Sequence, residues 1–229
     1  MKMLRNFTIR FVMLTILGIF CVMWAGVGLY STWSLSRVSD GNDVDRQLVR
    51  QMTVLSQGND QYFRFVTRLS RAMEVKAAGG TPDLAPAQQA LDNMSKKLAE
   101  MKAISPGPMD EKVSAQVIST WQALLDQGVT PQMAQAKQAT LEGYRQHANN
   151  VTPPLSRAFG SAAENFNNTA AKALDSTRVV VDGLTSMTRT VIITATIVGL
   201  LILLFTDRYL VAILVKPLDR IRQQFRQIA

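Results

Sequence analysis

Apolar residues recur along this chain at steps of three and four, between two stretches that are apolar on every side. Through 48–73 the apolar positions are Leu48, Met52, Leu55, Tyr62, Val66, Leu69 and Met73, spaced by 4, 3, 7, 4, 3 and 4 residues. That is the stripe of a bundle helix or coiled coil, with Gly58 as an expected weak point inside it. AAGG at 77–80 ends the helix. Thr81-Pro82-Asp83 opens a second helix, with Pro86 tolerated in its first turn. Its stripe is Leu84, Leu91, Met94, Leu98 and Met101, and Ser105-Pro106-Gly107-Pro108 stops it. A third helix carries Val113, Val117, Trp121 and Leu124. GVTP at 128–131 is expected to kink or interrupt it, and a turn follows near 140–143. The fourth helix has the clearest pattern: Leu155, Phe159, Ala162, Phe166, Ala170, Ala173, Thr177, Val180, Leu184 and Met187 keep steps of 3 or 4.

The first apolar stretch, FVMLTILGIFCVMWAGVGLY at 11–30, is twenty residues without a charge; the second, TVIITATIVGLLILLF at 190–205, is sixteen. At the helical rise, sixteen residues cover about 24 Å, and a little flanking apolar chain completes a bilayer crossing. The first stretch is long for a cleaved signal peptide and no small-x-small cleavage site follows it, so it reads as an uncleaved span. Trp24, Tyr30 and Trp33 near its far end suit an interfacial aromatic belt. The first bundle helix rises from this span without a break, and the fourth runs straight into the second span. Nothing reads as a strand. The expected fold is all-α: an antiparallel four-helix bundle over 32–188 between transmembrane helices at 11–31 and 189–210. A short tail at 1–10 precedes it. A basic amphipathic helix at 211–229 follows, with Leu214, Leu218, Ile221, Phe225 and Ile228 at steps of 4, 3, 4 and 3. It reads as a membrane-surface helix or, better, as a parallel coiled-coil linker.

Charge separates the segments further. The net charge of +8 invites a nucleic-acid partner, but its distribution argues against one. Between Ser31 and Thr188 there are 16 Lys and Arg against 15 Asp and Glu. The remaining basic residues flank the spans: Lys2, Arg5 and Arg10 before the first, Arg189 beside the second, and Arg208, Lys216, Arg220, Arg222 and Arg226 after it. This is the positive-inside pattern, which places both termini in the cytoplasm and the bundle outside. The single cysteine, Cys21, excludes an intramolecular disulfide and reads as a small packing or lipid-facing residue.

Enzymatic chemistry has no foothold. There is no metal-ligand set, phosphate loop, nucleophile elbow or carboxylate pair, and no cofactor is expected. His147, the one histidine, reads as structural. What stands out is a basic stripe in QYFRFVTRLSRAMEVK, where Arg64, Arg68 and Arg71 step by 4 and 3 and share a helix face. With Glu74 as the only near helical acid, they look short of local partners. Charge alone fits a solvated, salt-bridged face equally well. The functional reading is a carboxylate clamp, since guanidinium forks bind carboxylates through paired hydrogen bonds. Arg71 lies 40 residues beyond Ser31 and Thr152 lies 38 before Thr190, about 60 and about 57 Å along a helix. Both therefore belong at the same height, far from the membrane. VTPPL at 151–155 would bring a hydroxyl and free backbone groups to face the arginines; capping the helix is the plain alternative role for Thr152.

Together these features resemble bacterial methyl-accepting chemotaxis receptors of the aspartate/serine type, over the whole chain. RLSRAM at 68–73 is similar to that family's first-helix ligand motif, whose arginine contacts the ligand carboxylate; here that is Arg71. VTPPL is similar to its fourth-helix entry, whose threonine binds the ligand; here Thr152. VKPLDRI at 215–221 resembles the first helix of a HAMP linker. The amino-acid receptors carry two further arginines. Here the nearest candidates are Arg64 and Arg68, and the turn after Arg71 offers Val75 and Lys76 instead. Asn150-Val151 stands where the family has glutamine-proline. These departures favour an organic di- or tricarboxylate such as malate or citrate over an acidic amino acid.

The resemblance implies a non-enzymatic receptor in the bacterial inner membrane, with a periplasmic sensor domain. Its partners would be a small carboxylate ligand, a second copy of the chain with the ligand between the two first helices, membrane lipid, and a downstream cytoplasmic signalling module. Binding would shift the fourth helix and its span slightly, and the HAMP helix would pass this on. Two other functions share the pattern: the input half of a histidine kinase or cyclase, and a membrane-tethered bundle that binds a periplasmic protein. Sequence beyond Ala229 would separate chemoreceptor from kinase.

Overall fold

The computed structural model describes residues 9–138 and 140–211, and all secondary structure among them is helical. The elements are α1 (Ile9–Ala77), α2 (Ala85–Ile104), α3 (Glu111–Ala123), a π-helical turn (Leu124–Val129), α4 (Thr130–Gln138), α5 (Leu141–Asn150) and α6 (Thr152–Leu210). Both long helices, α1 and α6, are unbroken. The expected coiled-coil linker lies outside the described residues, apart from Val211. The chain divides into two compact units, one of Gly41–Val179 and one of Met1–Asp40 with Val180–Ala229.

The Gly41–Val179 unit is a four-helix bundle. Its four members are α1, α2, the run α3–π–α4, and α6, and α5 is a short added helix before α6. In α1 the inward positions are Leu48, Gln51, Leu55, Gly58, Tyr62, Phe65, Leu69 and Ala72, all buried. The three-and-four period holds throughout, but polar Gln51 and small Gly58 occupy two places in it. Val66, expected in the seam, is only half-buried and Phe65 takes its place. Gly58 is no weak point. A Cβ there would overlap the ring of Trp121 on α3, so glycine is what lets the two helices close. Trp121 in turn packs at a tilt against Phe159 of α6, with ring centroids 5.3 Å apart. Along α6, Phe159, Ala162, Phe166 and Ala170 are buried in sequence. This alternation of large and small lets the facing side chains interdigitate. Each large apolar side chain so buried contributes about 1.5–3 kcal/mol.

The ends of the helices follow local chemistry. Gly79, at φ +80°, adopts the left-handed conformation that closes α1. Gly80 N–H then donates to Val75 O at 2.9 Å and Gly79 N–H to Lys76 O at 3.1 Å, the paired bonds of a glycine C-cap. Asp110 caps α3, its Oδ1 accepting from Lys112 N–H and Val113 N–H. Between α2 and α3, the buried amide of Gln51 donates to Ile104 O and Pro106 O, both at 2.9 Å. One side chain of α1 thereby holds the turn that the proline-rich sequence makes.

The expected interruption at 128–131 takes another form. Pro131 lacks an N–H and its ring crowds the carbonyl four residues back. The chain widens into a π turn instead of breaking, with Thr130 N–H reaching Leu125 O. The third helix thus continues to Gln138.

In the second unit, the two apolar segments meet through small and hydroxylated residues. Ser34 Oγ and Thr188 Oγ1 share a hydrogen bond of 2.6 Å. A Cβ on Gly199 would already touch Phe20 and Met23 at 3.4 and 3.5 Å, and Ala195, one turn earlier, is buried. Small residues four apart let helix backbones approach closely. Leu14, Leu17, Val22, Leu29, Leu200, Leu201 and Leu204 point outward and are exposed. Both helices are long and apolar enough to cross a membrane. Thr15, Thr196 and Thr206 donate their hydroxyls to the carbonyls of Phe11, Ile192 and Ile202 four residues back, so these three donors are met within their own helices.

Candidate functional site

Within the bundle, α1, α4, α5 and the start of α6 surround a cleft of about 450 Å³. Its position follows from two local events. Val151 ends α5, its N–H bonded to His147 O at 3.0 Å, and α6 starts at the next residue with Pro153 and Pro154 in its first turn, where their missing N–H groups cost nothing. The chain redirects there and opens a gap against α1. On the far side, the π turn leaves the carbonyl of Gly128 within reach of His147. The ring Nε2 lies 2.9 Å from Gly128 O and donates to it in the tautomer protonated there. The histidine is structural, as its sequence context suggests.

Thr152 sits in the wall of this cleft and is only 3% exposed. Its hydroxyl donates to Gln132 Oε1 of α4 at 2.8 Å, so it ties the start of α6 to the third helix. Ser70 of α1 lines the same cleft, which puts Arg71, the next residue, at the height of Thr152. Arg71 itself is exposed. It has no ion pair or hydrogen bond to a side chain among the described residues.

The other two arginines of the α1 stripe are occupied. Arg64 Nε pairs with Asp60 Oδ2 at 2.7 Å. Asp60, one turn earlier, is therefore a local partner that corrects the expectation of Glu74 alone. Arg68 donates to Pro86 O at 3.0 Å and is half-buried, steadying the connection from α1 to α2. None of the three lines the cleft, whereas Arg145 of α5 and Arg157 of α6 do. The sequence reading passed over both. They stand alone on separate helices and form no stripe; their one visible signal is that each lies within seven residues of Thr152. The rest of the lining is mostly polar or aromatic, including Tyr62, Tyr144, Asn149 and Ser156, with Val66, Ala148 and Pro153 as apolar surface. No carboxylate lines it. Such a surface is suited to a small anion. Among the described residues no cluster of His, Cys, Asp or Glu is arranged to hold a metal ion.

Residues 3–174 match the family model described as "Tar ligand binding domain homologue". Among solved structures, the chain is similar to the N-terminal ligand-binding domain of a protein from Salmonella enterica described as a methyl-accepting chemotaxis protein. The two are 65% identical, the match covers 58% of this chain and 98% of that one, and the TM-score is 0.58. No curated protein sequence matches significantly.

Proposed function

Because this chain belongs to the family of Tar ligand-binding-domain homologues and carries a chemoreceptor sensor domain of the methyl-accepting type, we propose that it is a membrane receptor for a small organic acid. Sensor domains of this family are non-enzymatic. The acid, a di- or tricarboxylate rather than an acidic amino acid, binds beside Thr152 and Arg71, with Arg64 and Arg68 strengthening the positive potential of that face. The observation that carries the reading is the exposed guanidinium of Arg71, without a partner among the described residues. It follows directly on Ser70, which lines a cleft with Thr152 and no carboxylate.

In this reading residues 11–31 and 189–210 cross the inner membrane, 32–188 stand in the periplasm, and 1–10 and 211–229 are cytoplasmic. The last segment opens a HAMP linker to a signalling module. The outward apolar residues of the two spans and the excess of basic residues on their flanks support this orientation. The receptor works as a homodimer. Val49 and Phe63, 49% and 58% exposed on α1, are apolar surface that a second copy would cover. Continuity of α6 from Thr152 to Leu210 supports transmission as a small displacement of one stiff helix.

Calorimetric titration with a panel of carboxylates tests the reading. Wild type binds at least one of them saturably. Arg71→Ala weakens it by about tenfold or more, the size of a lost hydrogen bond to a charged group, and Thr152→Ala weakens it by releasing the start of α6 from Gln132 at the wall of the cleft. Unchanged affinity in both variants removes this site.

A further inference from the structure

The arginines of the bundle fall into two classes. Residues 41–179 contain eight: Arg46, Arg50, Arg64, Arg68, Arg71, Arg145, Arg157 and Arg178. Five are engaged. Arg46 pairs with Asp43, Arg50 with Glu100, Arg64 with Asp60 and Arg178 with Asp45, while Arg68 donates to Pro86 O. The three with no such partner among the described residues are Arg71, Arg145 and Arg157. Arg145 and Arg157 line the cleft, and Arg71 adjoins it through Ser70. Leaving guanidinium groups unpaired together costs repulsion that an anion between them would relieve.

We propose that Arg145 and Arg157 each hold one carboxylate of the same ligand in this cleft, so that the acid sensed carries at least two carboxylates. This rests on the reading of the chain as an organic-acid receptor and assigns its charge-binding groups. The two side chains come from different helices, α5 and α6, that converge where Val151 breaks the chain. Two forks approaching from different directions bind two carboxylates better than one. The volume, about 450 Å³, falls within the ordinary range of small-molecule sites. Glu74 lines a smaller adjoining cleft of about 190 Å³ that Arg145 also borders. It makes no ion pair with Arg145. An α-ammonium group in the main cleft would meet two cations and no carboxylate, which selects against amino acids.

The test uses the full chain in nanodiscs of zwitterionic lipid, titrated calorimetrically with malate, citrate and acetate. Malate or citrate binds wild type and acetate does not. Arg145→Gln and Arg157→Gln each weaken the di- or tricarboxylate by about tenfold or more. Lys172→Gln, which removes the same charge from an exposed site elsewhere on α6, changes affinity by less than about twofold because of screening. If both arginine variants bind as wild type while Thr152→Ala or Arg71→Gln loses binding, this assignment is wrong and the receptor reading stands. Acetate binding as tightly as malate also overturns it. Absence of binding by all three acids in wild type defeats the receptor reading together with it.

Discussion

Replacing Gly58 by alanine sets two effects of opposite sign against each other. In an open helix the change is favourable by about 1 kcal/mol, since alanine loses less backbone entropy. At this position the added methyl group would occupy the space of the Trp121 ring. Trp121 is 0% exposed and is backed by Phe159 at 5.3 Å, so the ring has no free volume to move into. Either α1 and α3 separate or the indole leaves its rotamer, and overpacking of this kind costs about 1–3 kcal/mol or more. The upper end applies here, because the clash is with a rigid, enclosed ring. The net effect is a loss of about 2 kcal/mol, or about 4–8 °C in midpoint for a unit of this size. Gly160 on α6 is the internal control. A Cβ there meets nothing within 4 Å, so Gly160→Ala should raise the midpoint by a few degrees. Thermal unfolding of the full chain in nanodiscs, followed by circular dichroism at 222 nm, reads both. A midpoint for Gly58→Ala at or above that of wild type would refute the packing argument.

Two further outcomes follow from named contacts. Gln51→Leu removes both bonds that hold the turn between α2 and α3; Ile104 O loses the Gln51 donor, while Pro106 O keeps its bond from Met109 N–H. It should lower stability by about 1–3 kcal/mol in urea denaturation. The Glu100 carboxyl is held below the ordinary glutamate range, first by its hydrogen bond from Lys97; desolvation opposes this next, and the charge of Lys97 and the hydrogen bond and charge of Arg50 add to the lowering. A depressed folded pKa contributes stability that is present above the unfolded carboxyl pKa and is lost as pH falls through the folded one. Glu100→Gln should therefore lower stability modestly at neutral pH, leave it nearly unchanged in acid where the glutamate is already protonated, and so flatten the acid side of the stability profile, as read by denaturation midpoints across pH.

The helical count and the two spans were legible because both rest on long apolar periodicity. What the pattern hid has identifiable causes. Gln51 and Gly58 hold seam positions, yet one is polar and the other has no side chain, so an apolar stripe skips from Leu48 to Met52 and from Leu55 to Tyr62. The short helix α5 has few apolar residues, of which Tyr144 alone is buried, too few to show a period. Pro131 signalled an interruption correctly in chemical terms; the answer, a π turn, depends on neighbouring packing that sequence does not display. At the candidate site, counting helical rise placed Thr152 and Arg71 at one level; Thr152 lines the cleft, as does Ser70 beside Arg71, but Arg71 itself does not. The partner of Arg68 is a backbone carbonyl across the α1–α2 connection, and backbone carbonyls leave no mark in a residue pattern. Arg145 and Arg157 come together only once α5 turns into α6.

Hydrogen–deuterium exchange on the full chain, with and without saturating malate or citrate, locates the bound acid most directly. Amides of 144–157, spanning the end of α5 and the first turn of α6, should gain protection together with 66–73 of α1, and Gly58 and its neighbours should change little. Protection confined to other segments, or none with an acid that binds by calorimetry, would contradict a receptor that holds its ligand in this cleft.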